Sequence, residues 1–299
     1  MSTLHEAFQH AVNAYRIGRF GDAEALCLQL LQANPSLLDV LNLLEKVLAA
    51  QGRPAEIIPF YQKALTRTEQ FIQSRSTYGG LLRLKTLGFS PEAILDIGAY
   101  EGQWMREAKI VFPQSRVFMI EAQPEKDTVL KAVCNPFGDS VEYVIALLGS
   151  DNREAVPFYQ MCTPYGSRGS SLFEEQTSFE RSMIPLPMHR LDDLLAQRPS
   201  TRFPFIKLDV QGAEMDVLRG GPKTLNNAEV VLLEASFLEY NKGAPQFAEV
   251  VAFMNAKGFV VFDILDCFRT KRDVLFQGDI LFVRNDSSLR PAGLIEPDQ

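Results

Sequence analysis

The chain has 299 residues, 46% hydrophobic and 22% charged, with 30 Lys and Arg against 37 Asp and Glu for a formal net charge of -7. That length allows one large domain and a smaller one with full cores, and the acidic balance without a Lys/Arg-rich run argues against a nucleic-acid substrate. No stretch approaches the ~18 apolar residues of a membrane span, and Met1–Glu6 lacks a basic-then-apolar leader, so a cytoplasmic protein away from membranes is expected.

Residues 1–72 carry a helical pattern in which Gly18-Arg19 recurs 34 residues later as Gly52-Arg53, the tetratricopeptide period. Ala14-Tyr15, Phe20–Glu24 and Asn34-Pro35 surround the first copy; Pro54-Ala55-Glu56, Tyr61 and Ala64 follow the second. The segment resembles one tetratricopeptide repeat and most of another, fewer than the about three needed for a self-standing array. It is expected to dock on the larger domain or to serve a protein partner or self-association.

A connecting helix is expected at 73–88, within a linker of 73–90, before the main domain at 91–285. There, strands at 93–98, 116–121 and 141–148 alternate with helices at 103–112 and 124–133, which predicts a parallel sheet with covering helices. Between 150 and 188 the alternation breaks into a short strand, 156–159, and a Gly/Ser-rich loop, 166–171, expected to stand above the ligand crevice. Helices at 190–197, 213–219 and 245–257 and strands at 204–209, 229–234, 259–264 and 278–284 complete the domain; 286–299 is expected to be a mobile tail.

Three strand ends carry the chemistry. Ile94–Ile97 is an apolar run interrupted by Asp96, followed by Gly98-Ala99-Tyr100-Glu101-Gly102. Such a turn presents a ligand to the exposed amides of a helix N-terminus. No glycine stands between Gly98 and Gly102, which argues against a dinucleotide pyrophosphate. Glu121 closes the second strand 23 residues past Gly98, where a carboxylate accepts ribose hydroxyls. Asp209 closes Phe205–Leu208, with Gly212 and Glu214 behind it, and Glu234 ends a further apolar run.

Four motifs in order, Asp96–Gly102, Ile120–Pro124, Arg190–Leu194 and Lys207–Glu214 with Leu218-Arg219-Gly220, resemble the FkbM-type methyltransferases over roughly 90–284. The resemblance implies a class I methyltransferase (Rossmann-like) α/β fold with a seven-stranded sheet ending in an antiparallel hairpin. It also implies S-adenosyl-L-methionine as cofactor and an O-methyltransferase acting on a hydroxyl of a sugar or small metabolite. Gln211 departs from the family, where an acid is common.

The expected cofactor residues are Asp96, Gly98, Ala99, Tyr100, Gly102, Glu121, Ala122 and Asp209, with Asp96 orienting either the turn or the methionine amine. Asp209, His189 and Glu214 are the catalytic candidates. His189, the imidazole of this domain, is either a base for the acceptor hydroxyl or structural, and Asp209 is either functional or a helix cap. Cys27, Cys134, Cys162 and Cys267 have no metal-ligand or redox spacing, and three histidines are too few for a His-rich metal site. A carboxylate-bound magnesium ion stays open without being called for. Two alternatives accompany the enzyme reading: a cofactor-binding interaction module, and methylation of a protein recruited by the repeats.

Overall fold

The computed structural model describes residues 4–33, 37–65, 75–163, 166–196, 198 and 202–290. The chain divides into two compact units, Met1–Gln73 with Ala132–Phe137, and Ser74–Lys131 with Gly138–Gln299.

In the first unit the helices Leu4–Arg16, Phe20–Ala33 and Leu38–Ala50 pack in succession, followed by a 3-10 turn, Pro54–Ile57, and the helix Ile58–Leu65. Ala23, Cys27, Leu30 and Leu31 recur at helical spacing and are buried, as are Leu41, Leu44, Val47 and Leu48. The two Gly-Arg pairs end their helices alike. Gly18 and Gly52 both stand at φ +76°, and the following amides donate back five residues, Arg19 to the Ala14 carbonyl (2.9 Å) and Arg53 to that of Leu48 (2.8 Å). Asn34-Pro35 and the side chain of Ala64 lie outside the described residues.

The second unit opens with the helix Thr77–Thr86, whose N-terminus is capped by Ser76 Oγ accepting from the Gly79 amide at 3.1 Å. Rather than a free connector, this helix is part of the larger unit. Thr77 Oγ1 donates to Asp279 (2.7 Å), Arg83 pairs with Asp263 (2.5 Å), and Leu81 and Leu84 are buried.

The strands are β1 (Ala93–Ile97), β2 (Arg116–Glu121), β3 (Val141–Ile145), β4 (Leu147–Gly149), β5 (Arg153–Cys162), β6 (Glu180–Arg190), β7 (Phe205–Leu208), β8 (Val230–Ser236), β9 (Phe259–Arg269) and β10 (Leu275–Arg284). Seven form one sheet in the order β3-β2-β1-β7-β8-β10-β9, and β10 runs antiparallel to both its neighbours. The order reverses between β1 and β7, the switch point where open α/β sheets bind ligands. β1 and β7 are buried at every position, as strands covered on both faces must be, and Leu95, Ile97, Ile206, Leu208 and Leu233 form the central core.

The region expected to be a short strand and a loop is instead a second sheet, order β4-β6-β5, with β5 and β6 antiparallel. The run 141–148 divides accordingly, β3 staying in the large sheet and β4 joining the small one. Residues 286–290, expected to belong to a mobile tail, are held: Ser287 Oγ donates to Glu229 (3.0 Å) and Leu289 is buried. Residues 291–299 lie outside the described residues. Among the described residues no helix is long and apolar enough to cross a membrane.

Candidate functional site

A cleft of about 290 Å³ opens at the carboxyl ends of β1, β2 and β7. Its lining combines apolar side chains, among them Ile120, Ala122, Leu147, Phe158 and Leu172, with Tyr100, Gln103, Glu121, Lys207, Asp209 and Gln211.

The turn after β1 is glycine-dependent for a steric reason. A Cβ on Gly98 would overlap the backbone carbonyl of Asp209, so β1 and the segment after β7 approach closely only because position 98 carries no side chain, and its φ is +77°. The amides expected to face a ligand are used internally. Gly98 and Ala99 N–H both donate to the Ile120 carbonyl (2.8 and 3.2 Å), Tyr100 N–H to Glu121 Oε2 (2.7 Å), and Gly102 N–H to the Ala99 carbonyl (2.8 Å). The turn therefore contributes shape rather than these donors. Gly98, Ala99 and Tyr100 line the cleft; Gly102, at φ +74°, starts the helix Gln103–Val111 and does not.

Glu121 lines the cleft although buried, with its other oxygen accepting from the Gln123 amide at 2.9 Å. Burial raises its pKa, and the backbone N–H groups of Gln123 and Tyr100 oppose the rise. Ala122 lies beside it in the lining.

Asp96 is fully buried and does not line the cleft. Lys207 Nζ stands 3.1 Å from Asp96 Oδ1, an ionic contact rather than an aligned hydrogen bond, and also donates to the Gly98 carbonyl at 3.1 Å. Lys207 thus links the buried Asp96 carboxylate to the Gly98 carbonyl of the turn. Burial alone would lower the Lys207 pKa, but Asp96 and Asp209 outweigh it and hold the ammonium above the ordinary lysine range. A lysine inside the apolar run Phe205–Leu208 was the available sequence signal, since a buried ammonium demands counter-charges.

Asp209 lines the cleft with 43% of its side chain exposed and its Oδ2 3.9 Å from Lys207 Nζ. Gln211 completes this end. Its Nε2 donates to Asp209 Oδ1 (2.8 Å) and Glu234 Oε2 (2.9 Å), and Glu234 accepts also from Gln277 (3.1 Å). Gln211 and Tyr100, both in the lining, hold the left-handed φ values of +56° and +50° that non-glycine residues rarely adopt. Burial, then Asp209 and Glu214, push the Glu234 carboxyl well above the usual range.

Two catalytic candidates fall outside the cleft. Glu214 is buried and accepts from the amides of Val210 (2.9 Å) and Gly212 (3.0 Å), clamping the loop that carries Asp209. Burial, its main influence, raises its pKa to about 7. His189 is exposed on β6 and absent from the lining, because strand alternation turns Met188 inward to the core and His189 outward. It is not placed to take a proton from a ligand in this cleft.

The segment after β5 closes on the cleft. Ser171, buried, donates to the Gln211 carbonyl (2.7 Å); Ser170 Oγ accepts from Met161 N–H (3.0 Å) and donates to the Ser167 carbonyl (2.6 Å). Among the described residues no group of three or more His, Cys, Asp or Glu is arranged to hold a metal ion.

The family model described as "Methyltransferase FkbM domain" matches residues 96–261, more than half of the chain. The chain belongs to the FkbM methyltransferase domain family. This FkbM chain is 27% identical over 161 residues to the 2-O-methyltransferase NoeI of Sinorhizobium fredii (strain NBRC 101917 / NGR234), covering 50% of itself and 65% of NoeI. It is 27% identical over 187 residues to "Methyltransferase 1" of Beauveria bassiana (strain ARSEF 2860), covering 56% of itself and 72% of that protein. Among solved structures, an O-methyltransferase from Bacillus cereus in complex with SAH aligns with a TM-score of 0.42 at 13% identity, over 77% of this chain and 90% of that one.

Proposed function

We propose that the protein is an S-adenosylmethionine-dependent O-methyltransferase acting on a hydroxyl of a sugar or small metabolite. The observation that carries this reading is the division of labour between the two acids lining the cleft. Glu121 is buried and committed to the turn amides, whereas Asp209 is 43% exposed and, among the described residues, keeps an oxygen that no hydrogen-bond donor approaches closely.

The residues fit the cofactor. Glu121 would accept the ribose hydroxyls with the lone pairs its two N–H partners leave, Ile120, Ala122, Leu147, Phe158 and Leu172 would cover the adenine, and the glycine turn leaves room for the methionyl part. The cofactor supplies an electrophilic methyl group on a sulfonium. Asp209 orients the acceptor hydroxyl and receives its proton, while Lys207 and the Gln211 amide hold that carboxylate in place. Glu214 serves the same end by fixing the Asp209 loop.

Residues 1–72 are, in this proposal, a tetratricopeptide-like docking segment for a protein partner or a second copy, supported by the helix-ending turn that recurs at Gly18 and Gly52. A cytoplasmic setting is supported by the free thiols of Cys27, Cys162 and Cys267. Calorimetric titration with S-adenosylmethionine and S-adenosylhomocysteine tests the enzyme reading. Micromolar binding of both is expected, and no binding to demonstrably folded protein overturns it.

A further inference from the structure

Two lysines at the cleft each face carboxylates. Lys207 faces Asp96 at 3.1 Å and Asp209 at 3.9 Å, and Lys126 faces Glu101 at 2.9 Å. Arg168 also lines the cleft; it is exposed, its charge acts on Glu101 at longer range, and among the described residues its guanidinium makes no hydrogen bond and no salt bridge. Its near neighbour is an aromatic ring, with Cζ 5.2 Å from the centroid of Tyr100, a ring that Lys126 Nζ approaches to 3.9 Å. A ring face attracts the cation without using its N–H groups, so the fork of this exposed guanidinium keeps its donors for solvent or for a ligand.

The loop that presents Arg168 is built rather than loose. Gly166 and Gly169 flank it at φ +93° and +86°, and a Cβ at these positions would stand 2.5 Å from the Tyr100 hydroxyl and 2.8 Å from Glu175 Oε2. Thr163 and Gly166 exchange backbone hydrogen bonds (3.2 and 3.0 Å), and Ser170 joins the loop to Gln123 at 3.3 Å. Filling the cleft would strip water from the guanidinium, which is costly unless the ligand brings a counter-charge.

We propose that Arg168 is the anion-recognising residue of this cleft, taking a carboxylate or phosphate group of the bound ligand in the fork of its guanidinium. The inference rests on the methyltransferase reading and sharpens it. The anion is either the carboxylate of the cofactor's methionyl part or an acidic group on the acceptor.

The full chain and its Arg168→Ala and Arg168→Lys variants are titrated calorimetrically with S-adenosylhomocysteine, with 5′-methylthioadenosine, which lacks the amino-acid part, and with inorganic phosphate after saturation with S-adenosylhomocysteine. If the cofactor carboxylate is the partner, Arg168→Ala weakens S-adenosylhomocysteine at least tenfold and leaves methylthioadenosine unchanged. If the acceptor supplies the anion, S-adenosylhomocysteine binds as before while phosphate binding is present in the parent, retained in Arg168→Lys and lost in Arg168→Ala. Equal affinities of parent and Arg168→Ala for all three overturn the proposal. A parent that binds neither nucleoside argues against the methyltransferase reading itself, and phosphate titrated into the ligand-free proteins then decides the role of Arg168.

Discussion

At the β1–β2 end of the cleft Glu121 receives backbone N–H groups on both oxygens, whereas at the β7–β8 end Asp209 and Glu234 share the side-chain amide of Gln211. Backbone donors belong to the fold and move only with it; a side-chain amide can be exchanged by one substitution without disturbing a strand. The first end is therefore suited to holding a ligand rigidly, and the second to handling a proton. Burial accentuates the contrast, since the second end gathers Asp209, Glu214, Glu234 and Asp279 within electrostatic reach of one another, with Lys207 as their cation.

The largest expected effect breaks the second end. Asp209→Asn keeps the shape and removes the charge, so turnover should fall by about 10²–10⁴-fold while the affinity for S-adenosylhomocysteine stays within about twofold. Loss of both together would move Asp209 to cofactor binding. At the first end, Glu121→Ala leaves the amides of Tyr100 and Gln123 without their acceptor, and cofactor affinity should drop at least about tenfold, or ~1.4 kcal/mol. Unchanged affinity by calorimetry would remove Glu121 from the ribose role.

A smaller effect appears with pH at the second end. Burial, the leading cause in both, raises Glu214 from 4.5 to about 7 and Asp279 from 3.8 to about 6. A raised folded pKa means stability that is complete below the unfolded value and lost as pH climbs through the folded one. The unfolding midpoint of the larger unit should thus decline as pH rises from about 4 to about 7. Asp279→Asn should flatten the lower part of the decline and Glu214→Gln the upper; profiles unchanged in both variants would place the pH dependence elsewhere. The smallest effect is at His189, exposed and outside the lining, where His189→Ala should leave turnover within about twofold. A hundredfold loss would return the imidazole to the reaction.

Legibility followed the same division. The apolar runs ending in Gly98, Glu121 and Asp209 could be read because a strand buried on both faces is continuously apolar, and a polar residue at its end has few roles. β6 could not. Pro185 and Pro187 argue against a central strand, and they are tolerated because β4 pairs only with Met188–Arg190, leaving that edge of β6 open beside the prolines. Nor could Glu214 and His189 be assigned from their neighbours, since one turns to the amides of its own loop and the other away from the cleft.

By itself the amino-acid order determined the α/β class, the strand ends that meet at the switch point, and the acids they carry, because local periodicity and short turns are properties of adjacent residues. Only the tertiary structure decided which of those acids reach the cleft. Lys207 meets Asp96 across 111 positions, and Gln211 meets Glu234 across 23. Burial and counter-charge over such separations arise from the closed sheet, not from any stretch of chain read alone.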